Sequence, residues 1–290
     1  MADFKISMSY VADLPVSYLK ENDLTPLSYK YFVDDVERLD DGFKSISAKE
    51  FYDMILAGKE PVTSQINASE YVELFEKYLD KGIDIYHIEF SSGLSGSYNS
   101  ARIAVEELKE KYPKRKIMLV DSLCASAGYG LMVHYAVKMK KAGKSIEEVY
   151  KFAEENKLKL NHWFTVDDLH HLKRGGRLSG TAATVGTMLQ IKPVLNLDNE
   201  GHLIPKEKIR GRKKALQFLV EKMEEKIVKP DGQDVFISHS YCEEDAMYVK
   251  KLVEEKFPKI GSVMVSLIGP VIGSHTGVGT VGLYFMGNER

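Results

Sequence analysis

The chain has 290 residues, of which 44% are hydrophobic and 28% charged, and its formal net charge at pH 7 is −2. This balance is typical of a globular protein with a large core, and it excludes a disordered chain or a surface built entirely for nucleic acid. The two cysteines, Cys124 and Cys242, are far apart in sequence, so neither a disulfide framework nor a zinc cluster is predicted.

The first 160 residues alternate strands with helices. Residues 4–8 (FKISM) and 27–33 (LSYKYFV) are predicted strands, the second because its apolar residues alternate with period two. Ser47 with Glu50, and Asn67 with Glu70, have the spacing of reciprocal caps that begin helices. Further on, the predicted elements are a strand at 85–90, a helix at 101–112, a strand at 116–122 and two helices that end near 160. This order predicts a mainly parallel, three-layer domain at 1–160.

From residue 161 the pattern changes. PVLNLDNEGHLIP reads as a hairpin that turns around Asp198 to Gly201, and TAATVGTMLQ (181–190) before it is predicted to be helical. The remaining predicted elements are a strand at 161–166, a helix at 211–227, a strand at 234–240, a helix at 244–257, and last strands at 262–270 and 281–286. We therefore expect a two-domain α/β protein whose second domain, 161–290, has hairpin-connected strands.

Two glycine motifs suggest nucleotide binding, but the secondary structure predicted around each motif does not fit a nucleotide site. Gly277, Gly279 and Gly282 form a GxGxxG pattern, but only eight residues follow Gly282 and they begin as a strand, where a dinucleotide site needs a helix. The GKS at 143–145 follows a predicted helix and lacks the first glycine of a phosphate loop. No ATP site is predicted.

Two clusters of hydroxyl residues are more informative. Thr63-Ser64-Gln65 follows Pro61 in a predicted loop that leads into a helix, and SSGLSGS at 91–97 lies between a strand and a helix. Helix N-termini expose unpaired NH groups and a positive dipole end, so both clusters are candidates for binding a carboxylate or phosphate. Ordinary helix capping is the alternative for either cluster alone.

Six motifs, in this order and spacing, resemble the DegV family of fatty-acid-binding proteins across nearly the whole chain. They are PVTSQ, SSGLSGSYNSA, DDLHHLKRGGRLSG, IKPVL, GRKKAL and GPVIGSHTGVGTVG. The resemblance implies a two-domain α/β fold with an apolar tunnel in the second domain and a carboxylate site at the domain junction. It implies that a long-chain fatty acid is presented to a separate ATP-using kinase subunit, which forms an acyl phosphate for phospholipid synthesis.

The resemblance also assigns residues. The carboxylate is expected at Thr63, Ser95 and His275, where the hydroxyls donate and the imidazole donates or carries charge if protonated. Further candidates for the head-group site are Ser64, Gly96, Thr276 and Arg177. The glycines around residues 273–282 are then interpreted as letting the backbone turn closely around the ligand head. The chain itself is expected to be a carrier without catalytic residues, metal or cofactor.

The chain departs from the family in one motif. The family pattern DSTADLP reads SYVADLP here, so Ser9, Tyr10 and Val11 replace acidic and hydroxyl residues, and head-group detail is expected to differ. A run of six cations at 206–214 includes Arg210 and Arg212, which the resemblance places toward the kinase subunit. Like charges this close repel one another, which favours an acidic partner.

Three alternatives stay open. Ser95, Asp121 and His275 occur in the chain order of an α/β-hydrolase triad, although Ser97 stands where the elbow needs glycine. The cationic run prompts a nucleic-acid binder, but it lacks interleaved aromatic residues for stacking, so no nucleic-acid partner is expected. Five residues are candidates for lining the acyl tunnel, although such apolar faces are far more often ordinary core: Met188, Leu189, Ile191, Val194 and Leu195.

The sequence lacks the patterns of a signal segment, a membrane span and a metal site. The first residues show no basic-then-apolar signal, and no apolar run approaches the ~18 residues of a membrane span, so a cytoplasmic protein without stable membrane insertion is expected. His170 and His171 are adjacent and cannot face one metal on a helix, so no metal site is predicted.

Overall fold

The computed structural model describes residues 4–167, 169–178 and 190–290. Its strands are β1 Phe4–Ser9, β2 Thr25–Leu27, β3 Lys30–Val33, β4 Val36–Leu39, β5 Val62–Ser64, β6 Asp84–Glu89, β7 Ile117–Asp121, β8 Leu160–Thr165, β9 Ile191–Leu197, β10 Leu203–Arg210, β11 Val235–His239, β12 Val263–Leu267 and β13 Val281–Met286. Its helices are α1 Val16–Glu21, α2 Ala48–Leu56, α3 Ala68–Leu79, α4 Ser97–Lys111, α5 Ser126–Lys141, α6 Ile146–Asn156, α7 His170–Arg174, α8 Arg212–Lys226, α9 Glu243–Lys256 and α10 Pro270–Thr276. None of these helices has the length and apolar character needed to cross a membrane.

The first sheet has the order β2-β1-β6-β7, and all its strand pairs are parallel. Every residue of β1 is buried, as expected for a parallel strand that is covered on both faces. Helices α3 and α4 pack on each other, as do α5 and α6. The predicted caps are confirmed, since Ser47 with Glu50 and Asn67 with Glu70 form capping boxes at α2 and α3. The mainly parallel first part of the fold is therefore confirmed.

The second sheet has the order β10-β9-β8-β13-β11-β12, and only β11 and β12 are parallel. The predicted hairpin is confirmed between β9 and β10, where the amide of Gly201 donates to the carbonyl of Asp198 at 3.1 Å. Asp198, Glu200 and His202 meet at this exposed turn. Because Asp198 Oδ1 accepts from the amides of Glu200 and His202, each at 2.9 Å, the turn itself explains the cluster.

A third, small sheet corrects two predictions. Residues 27–33 do not form one strand, because β2 ends at Leu27 and β3 begins at Lys30. Thr63 and Ser64, predicted to lie in a loop, belong to β5, which pairs with β3 so that Thr63 stands opposite Tyr31. The short α10 was also missed, since glycine and proline obscure its helical pattern.

The chain changes from the first sheet to the second at β8, which begins at Leu160. This position supports the predicted division into 1–160 and 161–290, which stays a prediction. The two parts share apolar contacts, because Phe236 and Tyr284 of the second sheet pack in the same buried cluster as the first. The helix predicted at 181–190 lies almost wholly outside the described residues.

Helix α5 contacts strands of both larger sheets, and its glycines make this possible. A Cβ atom at Gly128 would meet the imidazole of His162 and would lie 2.7 Å from Cδ1 of Tyr284. Both of those side chains are buried. The close approach of α5 to the second sheet therefore requires glycine at this position.

We expect Gly128→Ala to destabilise the protein by about 1–3 kcal/mol, because the added methyl overpacks a buried contact. Chemical denaturation measures the free energy of unfolding. The control is Lys141→Ala at the exposed end of α5, where a change within about 0.5 kcal/mol is expected. Equal stability of Gly128→Ala and the parent would show that α5 does not pack as closely as described.

Candidate functional site

A cavity of about 780 Å³, counting the open solvent at its mouth, lies between the small sheet, α10 and the second sheet. Much of its wall is apolar and includes Val11, Phe90, Phe164, Leu172, Leu197 and Leu203. The polar residues on the wall include Tyr29, Thr63, Ser64, Ser95, Arg177 and His275. All three predicted carboxylate residues therefore line one cavity.

Thr63 and His275 are in direct contact. Thr63 lies on β5 and His275 on α10, and Thr63 Oγ1 is 2.8 Å from His275 Nε2. Thr63 does not sit at a helix N-terminus as predicted, since α3 begins at Ala68. Its hydroxyl is placed by strand pairing. The hydroxyl and a neutral imidazole carry one proton each, and their mutual hydrogen bond uses one of them, so one donor of the Thr63–His275 pair remains for a ligand.

Ser95 lies two residues before α4, as the pattern of a loop between strand and helix predicts. Its Oγ accepts from the amide of Ser97 at 3.2 Å and lies 3.0 Å from the Ser97 hydroxyl. The phenol oxygen of Tyr29 lies 3.4 Å from Ser95 Oγ. The serine hydroxyl is thus held by its own loop and can turn its proton toward the cavity.

The electrostatics of His275 favour the neutral imidazole. Burial, together with the positive charges of Arg177 and Arg174, lowers its pKa to about 4. Its Nδ1 is buried without a hydrogen-bond partner among the described residues, directly against Gly175, where a side chain would collide with the ring. Of the two expected states, the structure therefore supports the neutral donor near pH 7.

The four further head-group candidates differ in their placement. Arg177 lines the cavity, half-buried, and its Nε donates to the carbonyl of Leu94 at 3.1 Å. Ser64 and Thr276 also line the cavity, but the Thr276 hydroxyl donates within α10 to Ile272 at 3.1 Å. Gly96 is not on the described wall; it is the N-cap of α4, where a Cβ would meet the side chain of Gln65. The structure thus leaves Arg177 and Ser64 as candidates.

The predicted tunnel residues are not on the described wall. Val194 and Leu195 are completely buried in two separate clusters of the core, and Ile191 is half-buried elsewhere. Met188 and Leu189 lie outside the described residues. Instead, Leu197 and Leu203 on either side of the hairpin line the cavity. Sequence pattern could not separate wall from core, because both are apolar faces of the same strands.

The glycine motif near the end of the chain serves the fold. Gly277 and Gly279 have φ angles of 72° and 85°, and β13 follows them. A Cβ at Gly277 would lie 2.8 Å from His171 Nε2, and one at Gly279 would lie 2.7 Å from Asp167 Cγ. The close approach that requires glycine is thus to protein side chains, which corrects the interpretation that the turn wraps a ligand head.

The described contacts do not assemble a hydrolase triad. His275 Nε2 contacts Thr63, and its Nδ1 has no carboxylate partner in the described part of the chain. Asp121 Oδ1 accepts instead from the backbone amides of Ser92 and Leu123, at 3.1 and 3.2 Å. A base-activated serine requires an oriented imidazole, so the geometry argues against this alternative.

The structure explains the departure from DSTADLP in part. Val11 lies on the cavity wall, where it adds apolar surface. Tyr10 faces outward and accepts from Lys44 Nζ at 2.7 Å. Ser9 is buried, and its Oγ lies 3.5 Å from the carboxylate of Glu89.

The two arginines of the cationic run have different environments. Arg210 is exposed on the edge strand β10, together with Lys206 and Lys208. Arg212 is half-buried, and its guanidinium contacts the carboxylate of Asp245 at 2.8 Å. Arg212 thus contributes to the fold through this ion pair, and its role in docking stays a prediction.

Comparisons with a family model and with known proteins all indicate the DegV family. A family model described as uncharacterised protein, DegV family, matches residues 5–288. A DegV domain-containing protein of Clostridium perfringens is 47% identical over 290 residues, covering 100% of this chain and 99% of that protein.

Two solved structures are similar over their whole length. A DegV family protein from Thermus thermophilus, described by its fatty acid binding, has a TM-score of 0.89 and 27% identity, covering 98% of this chain and 99% of that one. DegV of Bacillus subtilis, described as a fatty acid binding protein, has a TM-score of 0.84 and 29% identity, covering 99% and 100%. The predicted α/β fold is confirmed by these matches.

The low pKa of His275 predicts a pH dependence of stability. In the unfolded chain a histidine titrates near 6.5, whereas in the fold the pKa is about 4. The neutral imidazole therefore contributes stability that is present above pH ~6.5 and is lost as the pH falls toward 4, by at most about 3 kcal/mol. We expect His275→Gln to lose less stability than the parent between these pH values.

Denaturation of parent and variant across this pH range measures the difference. NMR of histidine-labelled protein gives a direct check, since the signal absent from His275→Gln should titrate near pH 4 in the parent. Titration of that signal near pH 6.5 would contradict the buried, neutral state.

Proposed function

The chain belongs to the DegV family, and from this premise we propose that it binds a long-chain fatty acid in the cavity and holds its carboxylate at Thr63, Ser95 and His275. The observation that carries the proposal is the convergence of these three side chains on one largely apolar cavity. Two of them are joined by the 2.8 Å contact across the small sheet and α10. The solved relatives described as fatty acid binding support the same ligand class.

The physical chemistry of the cavity suits such a ligand. Each methylene that leaves water contributes about 0.8 kcal/mol, so an acyl tail supplies most of the binding free energy. Neutral donors, the hydroxyl of Ser95 and one donor of the Thr63–His275 pair, fix the head group without sealing it in a buried ion pair. The half-buried Arg177 adds a positive charge nearby. A head group held in this way stays available for exchange.

We further propose that the chain is a carrier, with no enzymatic activity of its own, that presents the fatty acid to a separate kinase subunit for conversion to acyl phosphate. The sequence has no phosphate loop, and the GxGxxG glycines precede β13 instead of a helix. An external subunit must therefore supply ATP if the carboxylate is to be phosphorylated. A cytoplasmic location and a role in phospholipid synthesis stay predictions.

Removal of either hydroxyl should weaken fatty acid binding. We expect Ser95→Ala and Thr63→Val to raise the Kd for oleate at least about tenfold, because each removes a hydrogen bond to a charged group. Isothermal titration with delipidated protein measures the Kd, and mass spectrometry of an organic extract measures fatty acid retained on purification. Ser92→Ala, an exposed serine in the same loop, is the control and should bind like the parent.

If both hydroxyl variants bind oleate as tightly as the parent, the head-group assignment is wrong. If the parent carries no fatty acid on purification and binds none that is added, the proposed function itself is wrong.

We propose that Arg210 and Arg212 face the kinase subunit, and Arg210 gives the cleaner test because Arg212 is paired with Asp245. We expect Arg210→Glu to leave fatty acid content unchanged but to lower acyl phosphate formation about tenfold when kinase subunit and ATP are added, because reversed charge repels an acidic partner. Lys114→Glu, an exposed lysine before β7, is the matched charge-reversal control.

Both quantities are measured on the same preparation at low and high salt, since surface attraction is screened by ions. Phosphorylation of Arg210→Glu at the parent rate would place the docking surface elsewhere. Loss of lipid would instead assign Arg210 to the fold.

A further inference from the structure

Glu89 is a completely buried carboxylate close to the head-group site. It ends β6, and its side chain is surrounded by hydrogen-bond donors. Its Oε1 atom accepts from the amide of Phe90 at 2.9 Å, the phenol of Tyr29 at 3.1 Å and the hydroxyl of Ser9 at 3.5 Å. Its Oε2 atom accepts from the phenol of Tyr71 at 2.6 Å and lies 2.9 Å from His87 Nε2. Since an ionised carboxylate only accepts, these contacts satisfy a buried negative charge.

The partner His87 is also completely buried, and its two nitrogens meet different groups. Nε2 faces Glu89, and Nδ1 lies 3.0 Å from the Ser7 hydroxyl. If Nε2 carries the proton, Ser7 donates to Nδ1, and every proton in the series Ser7–His87–Glu89 has an acceptor. If both nitrogens carry protons, the Ser7 hydroxyl proton has no acceptor among the described residues. The hydrogen bonds of this network are therefore complete with one imidazole proton, and no lysine or arginine of the described residues forms an ion pair with Glu89.

Tyr29 connects this charge to the ligand site. Its oxygen lies between Glu89 Oε1 and Ser95 Oγ, at 3.1 and 3.4 Å. A phenol has one proton, and the carboxylate is the nearer and stronger acceptor. Burial and the negative charge of Glu89 raise the pKa of Tyr29 well above its usual value, so the phenol keeps its proton. The negative end of the O–H dipole therefore faces Ser95 and the cavity.

A carboxylate bound at Ser95 would thus be separated from the Glu89 carboxylate by three polar contacts, through Ser95 and Tyr29. Arg177, half-buried on the cavity wall, attracts a negative head group, whereas Glu89 and the Tyr29 dipole repel it. His275 is neutral near pH 7 and leaves this balance unchanged. With an effective dielectric constant of about 20, a charge roughly 10 Å away changes the binding constant of a charged group by about tenfold.

We propose that Glu89 is an affinity-setting residue, whose buried charge acts across Tyr29 to weaken the binding of an anionic head group at Ser95. The inference rests on the proposed function, because it concerns the same carboxylate site. A carrier that hands its ligand to a partner needs such a limit, since the apolar tail alone favours retention.

The test compares Glu89→Gln with the parent for two ligands of one tail, oleate and oleyl alcohol. Removing the charge should lower the Kd for oleate about tenfold and leave the Kd for oleyl alcohol unchanged. Glu89→Met is a second neutral variant if the glutamine does not fold, and Glu89→Asp, which retains the charge, should bind oleate like the parent. Tyr71→Phe is the matched control, because it removes a bond to Glu89 but keeps its charge.

Oleate binding to Glu89→Gln that is equal to or weaker than that of the parent overturns the inference, as does an equal change for both ligands, which would report packing. Tighter oleate binding by Tyr71→Phe would also overturn it. A parent that binds neither ligand contradicts the proposed function first, and the inference falls with it.

Discussion

The contact between α10 and the small sheet is the constraint on which the site depends. Thr63 and His275 are 212 residues apart in sequence, and their side chains meet only because α10 packs against β3 and β5. The same packing closes one wall of the cavity. Without it, two hydroxyl clusters and a histidine would remain unrelated polar groups on separate elements.

Buried acids hold α10 in this position. Asp13 Oδ1 accepts from the amide of Gly269, the N-cap of α10, at 2.8 Å, and the buried carboxylate of Asp40 lies beside the same residue. Burial raises the pKa of Asp13 well above its usual value and that of Asp40 to about 7. Burial of these acids is costly, but the free amides and positive dipole of a helix N-terminus offset part of it. Gly269 leaves them room, since a Cβ there would lie 3.1 Å from an oxygen of each.

The surface of the cavity is mostly apolar, with polar groups at a few places. The apolar surface supplies most of the affinity for a ligand, and the polar groups orient its head. Side chains such as Phe164, Leu197 and Leu203 from the second sheet offer surface to a tail, whereas Thr63 and Ser95 come from the N-terminal part of the chain. A ligand that fills the cavity therefore contacts both parts at once. Because α5 touches strands of both larger sheets, their relative placement also shapes the cavity.

The sequence by itself determined the local features. The capping boxes at Ser47 and Asn67 and the hairpin at Asp198 follow from short-range hydrogen bonding and turn geometry, which need only neighbouring residues. The resemblance in six motifs also identified the three residues that meet at the cavity, and it did so without showing how they meet.

Tertiary structure decided the rest, because burial and charge at a position depend on residues distant in sequence. β5 forms through pairing with β3, α10 forms against a buried surface despite its glycines, and the neutral state of His275 follows from burial and two arginines. Val194 packs in one buried cluster and Leu195 and Leu197 in another, and of the three only Leu197 also lines the cavity. Arg212 and Arg210 look alike in sequence, and only the fold places Asp245 beside the first and solvent around the second.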